Sequence, residues 1–124
     1  MAKRILISIL AAALVIELGL ALGGFLVPAV LLEKFKVSVT GETLFLAEVI
    51  AWILLAISLV AALALKWVLA SNIAGWTLST LLGLWWVAIG LGLYVRFGIL
   101  DNLLLDSLKG AIIVASAWKS RPHA

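Results

Sequence analysis

The chain reads as an all-α integral membrane protein: a four-transmembrane-helix bundle with both termini cytoplasmic. Three observations predict this. Of its 124 residues 66% are hydrophobic and only 12% are charged, whereas soluble domains are about half apolar and about a quarter charged. The mean hydropathy is +1.31, and a 13.2 kDa chain has too high a surface-to-volume ratio to hide that much apolar side chain from water. The apolar residues also fall into four runs of spanning length, separated by short polar or glycine-containing breaks. The length suits a single membrane domain over residues 1–124.

The first run, residues 5–32, is almost wholly apolar and carries one carboxylate, Glu17, near its middle. A helix of that length is about 40 Å long at about 1.5 Å per residue and exceeds a hydrocarbon core of about 30 Å. Tilt, a kink near Pro28 or an emerged last turn would absorb the surplus. The basic start followed by an apolar run resembles a signal peptide in outline, but the run is long for such a region and Glu17 interrupts it, so a retained helix is expected. Gly19, Gly23 and Gly24 supply small residues for close helix packing.

Residues 33–43 (EKFKVSVTGET) form the first polar connection. The alternation from Lys34 to Val39 suggests an extended piece along the interface. Thr40 is placed to cap the next helix, with Glu42 in its favourable first turn. The second span is expected over residues 44–70, with Glu48, Ala51, Leu55, Ser58, Ala62 and Leu65 as its inward stripe. Ser71-Asn72 makes a tight turn, and Asn72 can cap the third span, residues 73–97. There Ser79, Gly83, Trp86, Gly90 and Phe97 share a face. The Trp85-Trp86 pair lies mid-helix, either filling space opposite glycines or forming an aromatic wall around a ligand. Gly98 suits the helix end. In the fourth run, residues 99–118, the polar residues Asn102, Asp106, Lys109, Ser116 and Ser120 recur on one face. A spanning helix with that face inward is expected, with an interfacial amphipathic helix as the alternative.

Four spans put both termini on one side. That side holds Lys3, Arg4, Lys66, Lys119 and Arg121, and the other Lys34, Lys36 and Arg96. The excess makes the terminal side cytoplasmic, in a bacterial inner membrane. Trp67, Trp76 and Trp118 then fall at one level as an interfacial belt, with Phe35, Phe45, Tyr94 and Phe97 near the other surface.

Depth pairs the charges as well. Glu17 lies 13 residues from Arg4, and Asp106 and Lys109 lie 13 and 10 residues from Lys119. A central cluster of Glu17, Asp106 and Lys109 is therefore expected, and an outer pair of Glu48 and Arg96, since an ionisable group within a membrane turns inward and finds a partner. Such charges either specify helix association or form a proton or cation site. Lys109 favours the first, because a resident cation competes with any ion that a carrier would bind there.

Other classes find no support. The basic residues punctuate apolar runs instead of forming a face, against nucleic acid. Their net charge of +3 suits anionic lipid headgroups. Cysteine is absent, and the one histidine, His123, and one methionine, Met1, are terminal. No metal site and no cofactor is therefore expected, haem and chlorophyll-type groups included. There is no Ser/His/Asp set, no HExxH and no phosphate-binding glycine loop, so an enzyme is not expected.

Two resemblances follow from these residues. A four-helix chain of this size with a single carboxylate, Glu17, midway along the first helix resembles the small multidrug resistance exporters. The resemblance implies a homodimer that exchanges protons for cationic drugs through Glu17, although here the last helix also carries Asp106 and Lys109. The first half, LGLALGGFLVPAVLLEKFKVSVTGETLFLAEVIAWILLAISLVAALAL, resembles small bacterial four-helix membrane proteins of the DoxX-like kind. There, a glycine-rich first helix runs into a proline, here Pro28, and the second helix opens with an acid, here Glu48. This implies a fold, with quinone or respiratory partners as an implication. The expected role is an accessory or structural subunit of a larger membrane protein complex, in contact with the lipid bilayer and other subunits. A homodimeric proton-coupled exporter is the alternative.

Overall fold

The computed structural model describes residues 1–122. Among these, 88% are helical and none lies in a strand. In chain order the helices are α1 (Ala2–Leu26), α2 (Pro28–Lys34), α3 (Gly41–Leu69), α4 (Ile73–Phe97) and α5 (Leu100–Asn102), then a π-helical turn (Leu103–Ser107) and α6 (Leu108–Ser120). Three of them, α1, α3 and α4, are long and apolar enough to cross a membrane. His123 lies outside the described residues.

The first expected span is corrected. It breaks at Val27, whose backbone leaves the helical region at φ −138° and ψ 56°, and Pro28 opens the separate helix α2. Proline offers no N–H, and its ring collides with the carbonyl four residues back and with the α conformation of the residue before it. The spanning helix therefore ends at Leu26, about 37 Å long for its 25 residues. The expected extended connection is also shorter. Glu33 and Lys34 belong to α2, which closes at Lys36 in the left-handed region, φ 59°. There the Val37 N–H donates to the Leu32 carbonyl (2.8 Å) and the Lys36 N–H to the Glu33 carbonyl (3.0 Å). Only residues 37–40 then have no regular structure.

Thr40 caps α3 as expected. Its Oγ1 accepts from the Thr43 N–H at 3.1 Å, while the Thr43 Oγ1 accepts from the Thr40 N–H at 2.8 Å. This is the reciprocal arrangement of a capping box, with threonine in the usual glutamate position. The Thr43 hydroxyl donates onward to the Ser38 carbonyl at 2.7 Å. The inward stripe of α3 is small, as expected, and keeps Ala51 and Ser58, while Leu55, Ala62 and Leu65 are only half-buried. Ala47, Ala51, Ser58, Ala61, Ala64 and Val68 are buried, and Glu48 is exposed. Alanine lets a neighbouring backbone come close, and Glu48 sits within two turns of the helix start, where a long acid can reach toward water. Asn72 caps α4, its side chain accepting from the Ala74 N–H at 3.0 Å, and Gly98 ends that helix at φ 67°. The bounds of α4 match the expected 73–97.

The chain divides into two compact units, a middle unit (Leu14–Val60) and a terminal unit (Met1–Ala13 with Ala61–Ala124). In the middle unit the second half of α1 lies against the first part of α3. A Cβ on Gly24 would stand 2.8 Å from that of Ala51, and Phe25 meets Trp52 edge to face with ring centroids 4.9 Å apart. Gly23 is in ordinary contact with Leu31 of α2.

In the terminal unit α4 packs antiparallel against the run of α5, π turn and α6. Asn102, Leu103, Ser107 and Leu108 all have right-handed helical backbone, so residues 100–120 form one continuous helical rod. Gly83 faces Gly110: a Cβ on Gly83 would lie 2.8 Å from the Gly110 carbonyl oxygen and 2.7 Å from the Val114 side chain. One turn and more along, Gly90 faces Ser107, whose amide nitrogen would stand 2.9 Å from an added Cβ.

Candidate functional site

The polar residues of the C-terminal rod form the site with the most chemistry in the terminal unit. Their spacing of three, four and seven puts Asn102, Asp106, Lys109, Ser116 and Ser120 on one face, and all five are buried or half-buried. The opposite face exposes Leu104, Leu105, Leu108, Ile112 and Trp118. A helix in water shows the reverse arrangement.

Along the buried face each polar group has a partner. The Asn102 Nδ2 donates to Asp106 Oδ2 at 2.7 Å, and Lys109 Nζ donates to Asp106 Oδ1 at 3.4 Å as an ion pair. Lys109 Nζ also lies 4.3 Å from the centroid of the Trp86 ring. Lys109 is only 7% exposed, and a desolvated cation over tryptophan gains about 2 kcal/mol from the ring quadrupole. The close approach of α4 at Gly83 and Gly110 brings these groups together, because a side chain at either glycine would hold Trp86 away from Lys109. Ser107, in the π turn, donates from its Oγ to the Val87 carbonyl at 3.0 Å, tying that turn to α4 beside Gly90.

A second polar set closes the end of the unit that holds Lys3 and Ser120. Trp76 Nε1 donates to Ser120 Oγ at 2.9 Å, and that hydroxyl donates to the Ser116 carbonyl at 2.6 Å. Lys3 Nζ donates to Ser71 Oγ at 3.0 Å and stands 5.6 Å from the Trp76 ring centroid. The start of α1, the α3–α4 turn, the start of α4 and the end of α6 therefore meet at one end of the terminal unit. Hydroxyls deeper in the helices bond back one turn: Ser58 to Leu54, Ser79 to Gly75, Thr80 to Trp76 and Ser116 to Ile112. Among the described residues no buried side-chain nitrogen or oxygen is left without a partner, which is the requirement that a hydrocarbon solvent imposes.

Of the expected central cluster, the structure joins Asp106 to Lys109. Glu17 lies in the middle unit, 3% exposed. Glu48 and Arg96, expected as an outer pair, are both exposed and belong to different units. A Cβ at Gly24, Gly83 or Gly90 would crowd a neighbouring helix, whereas at Gly19 it would meet nothing within 4 Å. The close approach on α1 falls at Gly24, against Ala47 and Ala51, five residues beyond Gly19. Gly75 and Gly110 were missed, and each admits a backbone from a neighbouring turn or helix. Trp118 is exposed and Trp67 half-buried, but Trp76 points inward at 1% exposure, because its indole N–H has Ser120 as a partner there. Phe97 leaves the buried α4 face and is exposed.

Trp86 as the platform for Lys109 could have been suspected from sequence, since both were placed on inward faces. The Ser107–Val87 bond could not, because it depends on the π turn. Among the described residues no group of three or more histidine, cysteine, aspartate or glutamate side chains could hold a metal. No family model matches the chain, and neither does any curated protein or solved structure.

Proposed function

We propose that this chain is a four-span protein of a bacterial inner membrane, with both termini cytoplasmic, that serves as an accessory subunit of a larger membrane protein complex. Its intramembrane charges fix how its helices associate. The observation that carries this reading is the inverted amphipathicity of residues 100–120. Their polar groups are committed to one another and to α4, and their apolar face points outward. The rod's 21 residues span about 31 Å, close to the hydrocarbon thickness of about 30 Å. An interfacial helix would turn Asp106 and Lys109 to water and Leu104, Leu105 and Leu108 to the protein. The meeting of Lys3, Ser71, Trp76 and Ser120 at one end supports an even number of crossings.

The accessory role follows from what the polar groups do. Asp106 already holds Asn102 and a lysine, and Lys109 already faces a tryptophan. Such a cluster sets register, because any slip leaves a charge unpaired in hydrocarbon. The outward faces, with Trp52, Phe45, Phe97 and Trp118 exposed, are offered to lipid and to neighbouring subunits. Extraction in mild detergent followed by native-gel separation and mass spectrometry tests this. Stoichiometric co-migration with other membrane subunits, lost when the gene is deleted, is expected.

A second reading rests on Glu17, a carboxylate buried midway along the first span. As a homodimeric exporter, the protein would migrate at twice its monomer mass and bind tetraphenylphosphonium in a pH-dependent way that Glu17→Gln abolishes. That result would replace the accessory reading.

A further inference from the structure

Two apolar grooves run down the terminal unit along different faces of α6. The first, about 470 Å³, is lined by Met1, Arg4, Ile5, Ile9 and Ala12 on one side of α1 and by Ile112 of α6. The second, about 460 Å³, lies between α4 and α6, with Leu84, Val87, Val114, Trp118 and Lys119 in its walls. The two share a plan. Each has a basic residue in its wall, Arg4 beside the Met1 terminus or Lys119, near the end where Lys3, Ser71, Trp76 and Ser120 meet. Each then continues as an almost wholly apolar track toward the middle of the helices. From Arg4 to Ala12, and from Lys119 back to Ala111, the track is eight residues long, about 12 Å. That is close to the depth of one leaflet in a hydrocarbon core of about 30 Å.

We propose that each groove seats one anionic phospholipid of the leaflet at the terminal end, its phosphodiester on Arg4 or Lys119 and one acyl chain along the apolar track. Charge selects the headgroup. A zwitterionic lipid brings its own ammonium to a site that already holds a cation, whereas the phosphodiester of an anionic lipid arrives uncompensated. In the first groove the positive end of α1 adds to the field of Arg4. In the second, Trp118 is 81% exposed at the groove's charged end, where an amphipathic ring suits the boundary between headgroup and chain. Lys3 takes no part, because Ser71 and Trp76 hold it. The inference rests on reading residues 100–120 as a span, which makes this end a membrane surface.

The test uses the full-length protein, delipidated in mild detergent and titrated with phosphatidylglycerol or chain-matched phosphatidylcholine, with bound lipids counted by native mass spectrometry. Two phosphatidylglycerols per chain are expected. Each should bind about fivefold more tightly than phosphatidylcholine, the preference expected of one cation at a membrane surface. Arg4→Ala and Lys119→Ala should each remove one tight adduct and the double substitution both, while Arg4→Lys keeps the count at two. Lys34→Ala with Lys36→Ala, at exposed positions in the middle unit, should leave it unchanged. Equal binding of the two lipids, or a phosphatidylglycerol count that ignores Arg4 and Lys119, overturns the proposal. Failure of the span reading is seen separately, by labelling single cysteines placed at the two ends of the rod.

Discussion

At the residue scale the structure turns on Lys109. A lysine in an apolar solvent is tolerable only when its charge is met, and Asp106 and the face of Trp86 are among the groups that meet it. Breaking a buried pair leaves one uncompensated charge and costs about 3–5 kcal/mol, whereas removing both charges together is often neutral. Lys109→Met alone should therefore lower the unfolding free energy in detergent by about that amount, and Asp106→Asn in the same chain should restore part of it. Equal loss in the single and double variants would mean that the pair contributes little. The sequence made this pair legible, since a spacing of three on a helix makes the two side chains neighbours. The caps at Thr40 and Asn72 were legible for the same reason: their partners lie two or three residues away. Trp76 was not. Its position near a helix end suggested a belt, and only the hydroxyl of Ser120, 44 residues distant, turns it inward.

At the element scale, glycine decides which helices touch. Gly83 and Gly90 admit the C-terminal rod, and a side chain at either would collide with backbone atoms of residues 102–110. Gly90→Val should destabilise the protein by about 1–3 kcal/mol or more, the cost of overpacking a filled core. Gly19→Ala, with nothing within 4 Å, should stay within about 0.5 kcal/mol of the parent. Thermal unfolding of the two variants in one detergent checks the contrast, and similar shifts would contradict it. The bounds of α4 could be read from Asn72 and Gly98, because both helix signals are local. The π turn at Leu103–Ser107 could not. No residue in LLLDS demands it, and its visible correlate is the close fit of Ser107 against Gly90 and the Val87 carbonyl. Pi turns of this kind recur where a helix must fit a neighbour or a site. Pro28 was read as a place where the first span could kink, and in the structure it starts a separate helix, because Val27 leaves helical backbone altogether.

At the scale of the whole molecule, composition announced a membrane protein, and three helices have the length and apolarity to cross. The fourth crossing is the claim that turns a three-helix pattern into a bundle with both termini together. Hydropathy alone gives it weakly, since Asp101, Asp106 and Lys109 interrupt the run. What supports the proposal is which face of the rod is buried, a property that tertiary packing adds to the sequence. The chain contains no cysteine, so single cysteines can be placed without background. The decisive measurement labels Asp101→Cys and Arg121→Cys, at the two ends of the rod, with a membrane-impermeant maleimide in intact cells. A spanning rod predicts that Asp101→Cys reacts from outside and Arg121→Cys only after permeabilisation. Reaction of both positions from the same side would place the rod along one membrane surface and contradict the four-span account.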